Sequence, residues 1–100
     1  MPLLTDDEIA FRMNAVPLWR LERGDAPPAR IVRDALAPNF SAAVGLINAI
    51  AICAETADHH PDILLYGWNK LRITLTTHDS GGLTENDFRL AKNIDAVLGM

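Results

Sequence analysis

One hundred residues supply one compact domain, and a chain that short buries only roughly 60–70% of its extended surface on folding. With 49% hydrophobic and 22% charged residues and no biased or repeated stretch, the composition is that of a soluble globular protein and argues against disorder. A formal net charge of −4, with nine Lys and Arg scattered among the acids, argues against a phosphate-binding surface, so no nucleic-acid partner is expected.

The single Cys53 cannot form an internal disulfide, and between Ile52 and Ala54 it reads as a buried reduced thiol, which fits a cytoplasmic location. The first residues, Met1 to Arg12, carry Asp6, Asp7 and Glu8 where a secretory leader would be basic. The longest strongly apolar region, Ala42 to Ala54, is shorter than the ~20 residues a membrane span needs. No membrane role is expected.

Thr5-Asp6-Asp7-Glu8 is a capping-box pattern, in which hydroxyl and carboxylate each satisfy a backbone N–H that the first helical turn leaves unpaired. It predicts a helix over Asp6 to Ala15, with Ile9, Met13 and Val16 on its inner face and Pro17 as its stop. Leu18 to Glu22 alternates as a half-buried strand, closed by a Gly24-Asp25 turn. Ala29 to Leu36 follows as a second strand of weaker alternation, its start blurred by Pro27-Pro28.

From Pro38 or Asn39 the period becomes helical and persists to Glu55 or Asp58 before Pro61. Phe40, Ala43, Val44, Ile47, Ala51 and Ala54 form one apolar stripe; Ala42, Gly45, Leu46, Ala49, Ile50 and Cys53 form another. A helix apolar on two sides is buried on two sides, and the second partner is expected to be another copy of the chain.

Ile63 to Trp68 and Leu71 to Thr77 read as strands, bent or bulged at Asn69-Lys70, a pair without the glycine a tight turn favours. Ser80-Gly81-Gly82 breaks the second. Thr84, with Asp87 three residues on, caps a last helix facing inward through Phe88, Ala91, Ile94 or Asp95, and Leu98. Strands in adjacent pairs with helices between predict an α+β domain over residues 1–100: a four-stranded antiparallel sheet with three helices on one face, in the order α-β-β-α-β-β-α. Its open edge and the second helix stripe together predict a homo-oligomer.

The histidines sit at element ends: His59 and His60 after the long helix, His78 after a strand. Helical spacing places Glu55 four residues before His59, within reach to orient that imidazole, with Asp58 beside it. Imidazoles exchange protons near neutrality, so neighbouring histidines can protonate a leaving hydroxyl and take a proton from the adjacent atom. Thr76, His78 and Asp79 would line the opposite wall, able to hydrogen-bond a polar heterocycle.

By spacing alone, Asp58-His59-His60-Pro61 reads more simply as a polar helix end with a proline stop. Likewise Trp19 reads first as a core or interface aromatic, Asp87 as a cap and Gly81-Gly82 as a turn. The histidine spacing fits neither a helical His-x-x-x-His nor a Cys/His set, so no metal is expected. Cys53 lies mid-helix in apolar surroundings, which disfavours a nucleophilic thiolate.

The combined pattern is more specific than its parts. Glu55-Thr56-Ala57-Asp58-His59-His60-Pro61, Trp68 after six residues, His78 after nine more and Asp87 after eight resembles the signature of the pterin-4a-carbinolamine dehydratases. Trp19, Asn69-Lys70, Thr76-Thr77-His78-Asp79 and Gly82-Leu83-Thr84 extend the likeness over most of the chain.

The resemblance implies dehydration of 4a-hydroxytetrahydropterin to quinonoid dihydropterin, a step of tetrahydrobiopterin recycling, without metal or organic cofactor. It implies His59 and His60 as general acid and base and His78 as a catalytic, substrate-binding group. Substrate contacts would fall on Asp58 to Pro61 and on Thr76, Thr77 and Asp79, with Glu55, Trp19 and Asp87 around the pocket. The partners it implies are a reduced pterin and further copies in a homodimer or homotetramer. Departures lie away from the histidines, in Ile31 to Ala37 and around Leu46-Ile47, where many relatives carry aromatics. A non-catalytic interaction module on the same fold is the alternative, since some animal members of that family bind and dimerise a homeodomain transcription factor.

Overall fold

The computed structural model describes residues 2–23 and 28–99. The elements run α1 (Asp6–Met13), β1 (Arg20–Glu22), β2 (Arg30–Leu36), α2 (Phe40–Ala57), β3 (Asp62–Tyr66), β4 (Lys70–Leu75) and α3 (Glu85–Val97), with a short 3-10 turn, His78–Ser80, before α3. This is the expected α-β-β-α-β-β-α order. The Gly24-Asp25 turn and Pro27 lie outside the described residues.

The strands form one antiparallel sheet in the order β1-β2-β4-β3. In register, Leu21, Ile31 and Leu75 follow one another across it, then Arg33, Ile73 and Ile63, then Ala35, Leu71 and Leu65. These rows carry the face that packs on the helices. Ile31, Ile73 and Leu75 join Ile9, Ile50, Phe88, Ala91 and Ile94 in the main core, while Leu71 meets Ala37 and Ala43 in a second cluster. One charge enters that face: Arg33, buried against Asp95 of α3. The weak alternation of β2 has this cause, because Val32 on the opposite face is buried as well.

That opposite face is mostly charged, with Leu36 and Leu64 exposed among the charges. Arg20 and Arg72 each hold Asp34, Arg20 and Arg30 each hold Glu22, and the Arg72 guanidinium lies over the Tyr66 ring.

The capping boxes at Thr5 and Thr84 are both formed. α2 departs from the expected stripes. Its buried residues are Ala43, Ile50 and Ala54, with Leu46, Ile47 and Cys53 partly covered, a seam drawn from both predicted stripes. Packing against sheet and α3 from one side covers a single arc of a helix, so Phe40, Val44, Ala51 and Ile52 stay exposed. Cys53 is accordingly half-buried rather than sealed in the core.

The β3–β4 turn falls earlier than expected, on Gly67, Trp68 and Asn69, and Lys70 already opens β4. Gly67 and Trp68 both have positive φ, 55° and 62°, a conformation glycine adopts without penalty. Asn69 is the anchor of this turn: its Nδ2 donates to Ala37 O and its carbonyl accepts from Ala37 N.

Candidate active site

Two backbone stops build the candidate site. Asp62 opens β3 opposite Thr74 of β4, so the segment leaving α2 enters the sheet beside the end of β4. Asp58 to Pro61 therefore stand across from Thr76 to Asp79.

α2 stops because Asp58 adopts the left-handed conformation, φ 50° and ψ 43°, sending its N–H to the Ala54 and Glu55 carbonyls while His59 N–H returns to Ala54 O. This is a Schellman-like ending in which aspartate occupies the place glycine usually takes. On the other wall, Thr77 O accepts from Ser80 and Gly81 N–H, curling His78–Ser80 into one 3-10 turn. Gly81 closes that turn at φ 80°, where any side chain would be strained.

Between the walls lies an open cleft of about 250 Å³, lined by Asp58, His59, His60, Thr76, Thr77, His78 and Asp79. A larger groove of about 470 Å³ runs between α2 and α3 past Ile52, Cys53 and Asn86, but Arg89 is its only ionic side chain. All three imidazoles line the smaller cleft.

Asp87 underlies the cleft, with 0% of its surface exposed. One carboxylate oxygen lies 2.6 Å from His59 Nε2. The other accepts from the Thr77 hydroxyl and the Thr84 backbone N–H, each at 2.8 Å. Three donors offset the desolvation of this buried charge. With the Thr77 proton committed to Asp87, the Thr84 hydroxyl donates to Thr77 Oγ1 across 2.8 Å.

Glu55 takes a different imidazole from the one spacing assigns to it. His60 Nε2, not His59, donates to Glu55 Oε1 at 2.9 Å. The i to i+4 rule lapses at Asp58, because its left-handed backbone turns the next two residues off the helix.

The remaining expected residues divide. His78 and Asp79 are exposed at the cleft rim, and the His78 imidazole bonds to no described residue. Thr76 lines the cleft, but its hydroxyl donates to Ala29 O at 2.8 Å. Pro61 lies just behind His60 at the entrance to β3. Trp19 stands apart, buried in the core with its Nε1–H on Asp95. Sequence reasoning missed Thr84 and the pairing of His59 with Asp87; the Thr84–Asp87 cap was a visible signal, but nothing local links it to a histidine 28 positions away.

The arrangement offers two imidazoles, each tied through Nε2 to a carboxylate, and a third without such a tie. It can donate and accept protons around a small polar ligand. Among the described residues no three His, Cys, Asp or Glu converge as metal ligands.

Residues 2–97 match the family model described as pterin 4 alpha carbinolamine dehydratase. A Chloroflexus aurantiacus protein with a provisional pterin-4-alpha-carbinolamine dehydratase name is 46% identical over 99 residues, covering 99% of this chain and all of that one. An Acidobacterium capsulatum protein with the same provisional name is 44% identical, covering 98% of this chain and all of its own. Among solved structures, a transcriptional coactivator/pterin dehydratase from Brucella melitensis superposes with a TM-score of 0.84 at 32% identity, covering 96% and 98% of the two chains. A pterin dehydratase-like RuBisCO assembly factor of the alpha-carboxysome shares the fold alone, with a TM-score of 0.66 at 23% identity over 81% and 89%.

Proposed function

The chain belongs to the pterin-4a-carbinolamine dehydratase family, and from that premise we propose that it dehydrates 4a-hydroxytetrahydropterin to quinonoid dihydropterin by histidine general acid/base catalysis. The observation that carries this reading is the convergence of His59, His60 and His78 on one small cleft, two of them held by carboxylates. A cleft of about 250 Å³ lies at the small end of ligand pockets, in keeping with a bicyclic heterocycle bound at an open surface.

In this reaction the carbinol C–O bond breaks, the hydroxyl leaves as water with a proton from the enzyme, and the adjacent nitrogen loses its proton as it forms the C=N bond. One imidazole acts as acid and another as base, and the net change is loss of one water. No redox step occurs and imidazoles supply both proton transfers, so the reading calls on neither metal nor organic cofactor. His78 on the opposite wall binds the ligand and assists, while Asp58, Thr76, Thr77 and Asp79 shape its polar edge.

The test is steady-state turnover of a 4a-hydroxypterin, with calorimetric binding of a reduced pterin alongside. His59→Ala and His60→Ala should each lose about 10²-fold or more. Unchanged turnover in both variants, or no pterin binding by the unsubstituted protein, would sink the proposal.

We also propose that the chain acts as a homodimer or homotetramer through α2. Its 18 residues have a mean hydropathy of 1.6 yet only 17% of the helix is buried, which leaves Phe40, Val44 and Ile52 exposed. The second reading, a non-catalytic binding module, draws on the same face and on the coactivator name of the Brucella melitensis relative. The carboxylate-held histidines favour catalysis, since a pure binder has no use for them.

A further inference from the structure

We infer that Asp87 is a positioning residue that fixes the Nε2–H tautomer of His59, so that proton transfer at this side of the cleft runs through His59 Nδ1. This rests on the dehydratase reading for its consequence but not for its geometry.

An ionised carboxylate only accepts hydrogen bonds, so the nitrogen 2.6 Å from Asp87 must carry a proton. Neutral His59 then has its lone pair on Nδ1. No hydrogen bond from a described residue reaches that nitrogen and His59 lines the cleft, which leaves Nδ1 as the ring nitrogen open to a ligand. His59 can therefore enter the reaction as the base, taking a proton at Nδ1 while Nε2–H remains on Asp87. Asp87 itself is fully buried and does not line the cleft.

The second carboxylate oxygen makes the choice of tautomer rigid. Thr84 N–H is a backbone donor that cannot reverse, and it points at Oδ2 together with the Thr77 hydroxyl. An asparagine of the same shape must keep its carbonyl toward these two donors. Its NH₂ then faces His59 Nε2 and demands a lone pair there, which moves the imidazole proton to Nδ1. Asp87→Asn thus inverts the tautomer without changing the size of the side chain.

Asp87 also joins the two walls, because His59 precedes β3 and Thr77 ends the β4 side. Thr77→Val should loosen this link while leaving the Thr84 contact and the tautomer in place.

Long-range nitrogen–proton correlation spectra of ¹⁵N-labelled protein at about pH 9, above the ordinary imidazole range, read the tautomer directly. The expected result is protonated Nε2 on His59 in the unsubstituted protein and in Thr77→Val, and protonated Nδ1 in Asp87→Asn. Turnover in Asp87→Asn should fall about 100-fold or more, with KM changed by less than a few fold. Protonated Nδ1 in the unsubstituted protein, or an unchanged tautomer in a folded Asp87→Asn, overturns the inference. Should Asp87→Asn not fold, the spectrum of the unsubstituted protein still decides. Absence of any dehydratase turnover alongside the expected tautomers would refute the activity and leave the positioning role standing.

Discussion

His60 gives its Nε2–H to Glu55 across 2.9 Å at the end of α2, and both side chains are more than half exposed. An exposed pair of this kind adds little to folding, so under the proposed activity its expected role is to aim an imidazole at the cleft.

Glu55→Gln should therefore lower turnover roughly tenfold, the worth of one charge-assisted hydrogen bond, while leaving the melting temperature within a degree or two. Thermal melts beside steady-state rates check this. A large fall in melting temperature would make Glu55 a structural residue instead.

Asp34 links acid stability to the outer face of the sheet. Its carboxyl is held below the ordinary 3.8, chiefly by the hydrogen bond from Arg72 and then by that from Arg20, against a smaller opposing effect of burial. A depressed carboxyl stabilises the fold above its unfolded value and loses that contribution as pH falls through the folded value. Asp34→Asn should thus be less stable than the unsubstituted protein at pH 7, with the gap closing below about pH 4. Urea unfolding at pH 7 and pH 3 measures it, and a gap that widens in acid contradicts the assignment.

Asp95→Ala leaves Arg33 and the Trp19 N–H without their shared acceptor beneath the sheet. Removing one partner from a buried ion pair costs about 3–5 kcal/mol, seen as an earlier denaturant midpoint together with altered Trp fluorescence. A midpoint shifted by less than 1 kcal/mol would show that water reaches this pair freely.

Ile52→Glu on the outer face of α2, where the side chain is 69% exposed, should dissociate the oligomer with helix and strand content unchanged. Sedimentation equilibrium reports it. An unsubstituted protein that sediments as a monomer refutes association through this face.

The order of elements, the capping boxes at Thr5 and Thr84, and the grouping of histidines at element ends are all legible in the sequence alone. These features depend on neighbours within a turn or a strand, where hydrophobic period and hydrogen-bond spacing act directly. It likewise carried the motif that links Glu55, the histidines and Asp87 to their family. Its errors came where backbone conformation breaks a local period. The β3–β4 turn moved to Gly67-Trp68-Asn69 because Gly67 takes positive φ without penalty, and α2 buried a seam between two stripes because only one side of it is covered.

Which carboxylate meets which histidine depends on how distant elements dock. The left-handed backbone at Asp58 releases His59 and His60 from helical spacing, and the register of Asp62 with Thr74 then brings them to the end of β4. Asp87, 28 positions on, meets His59 because α3 begins beside that same end. Trp19 was drawn the other way, into the core and onto Asp95. Such pairings arise from where separate elements dock, and a linear spacing contains no distance between them.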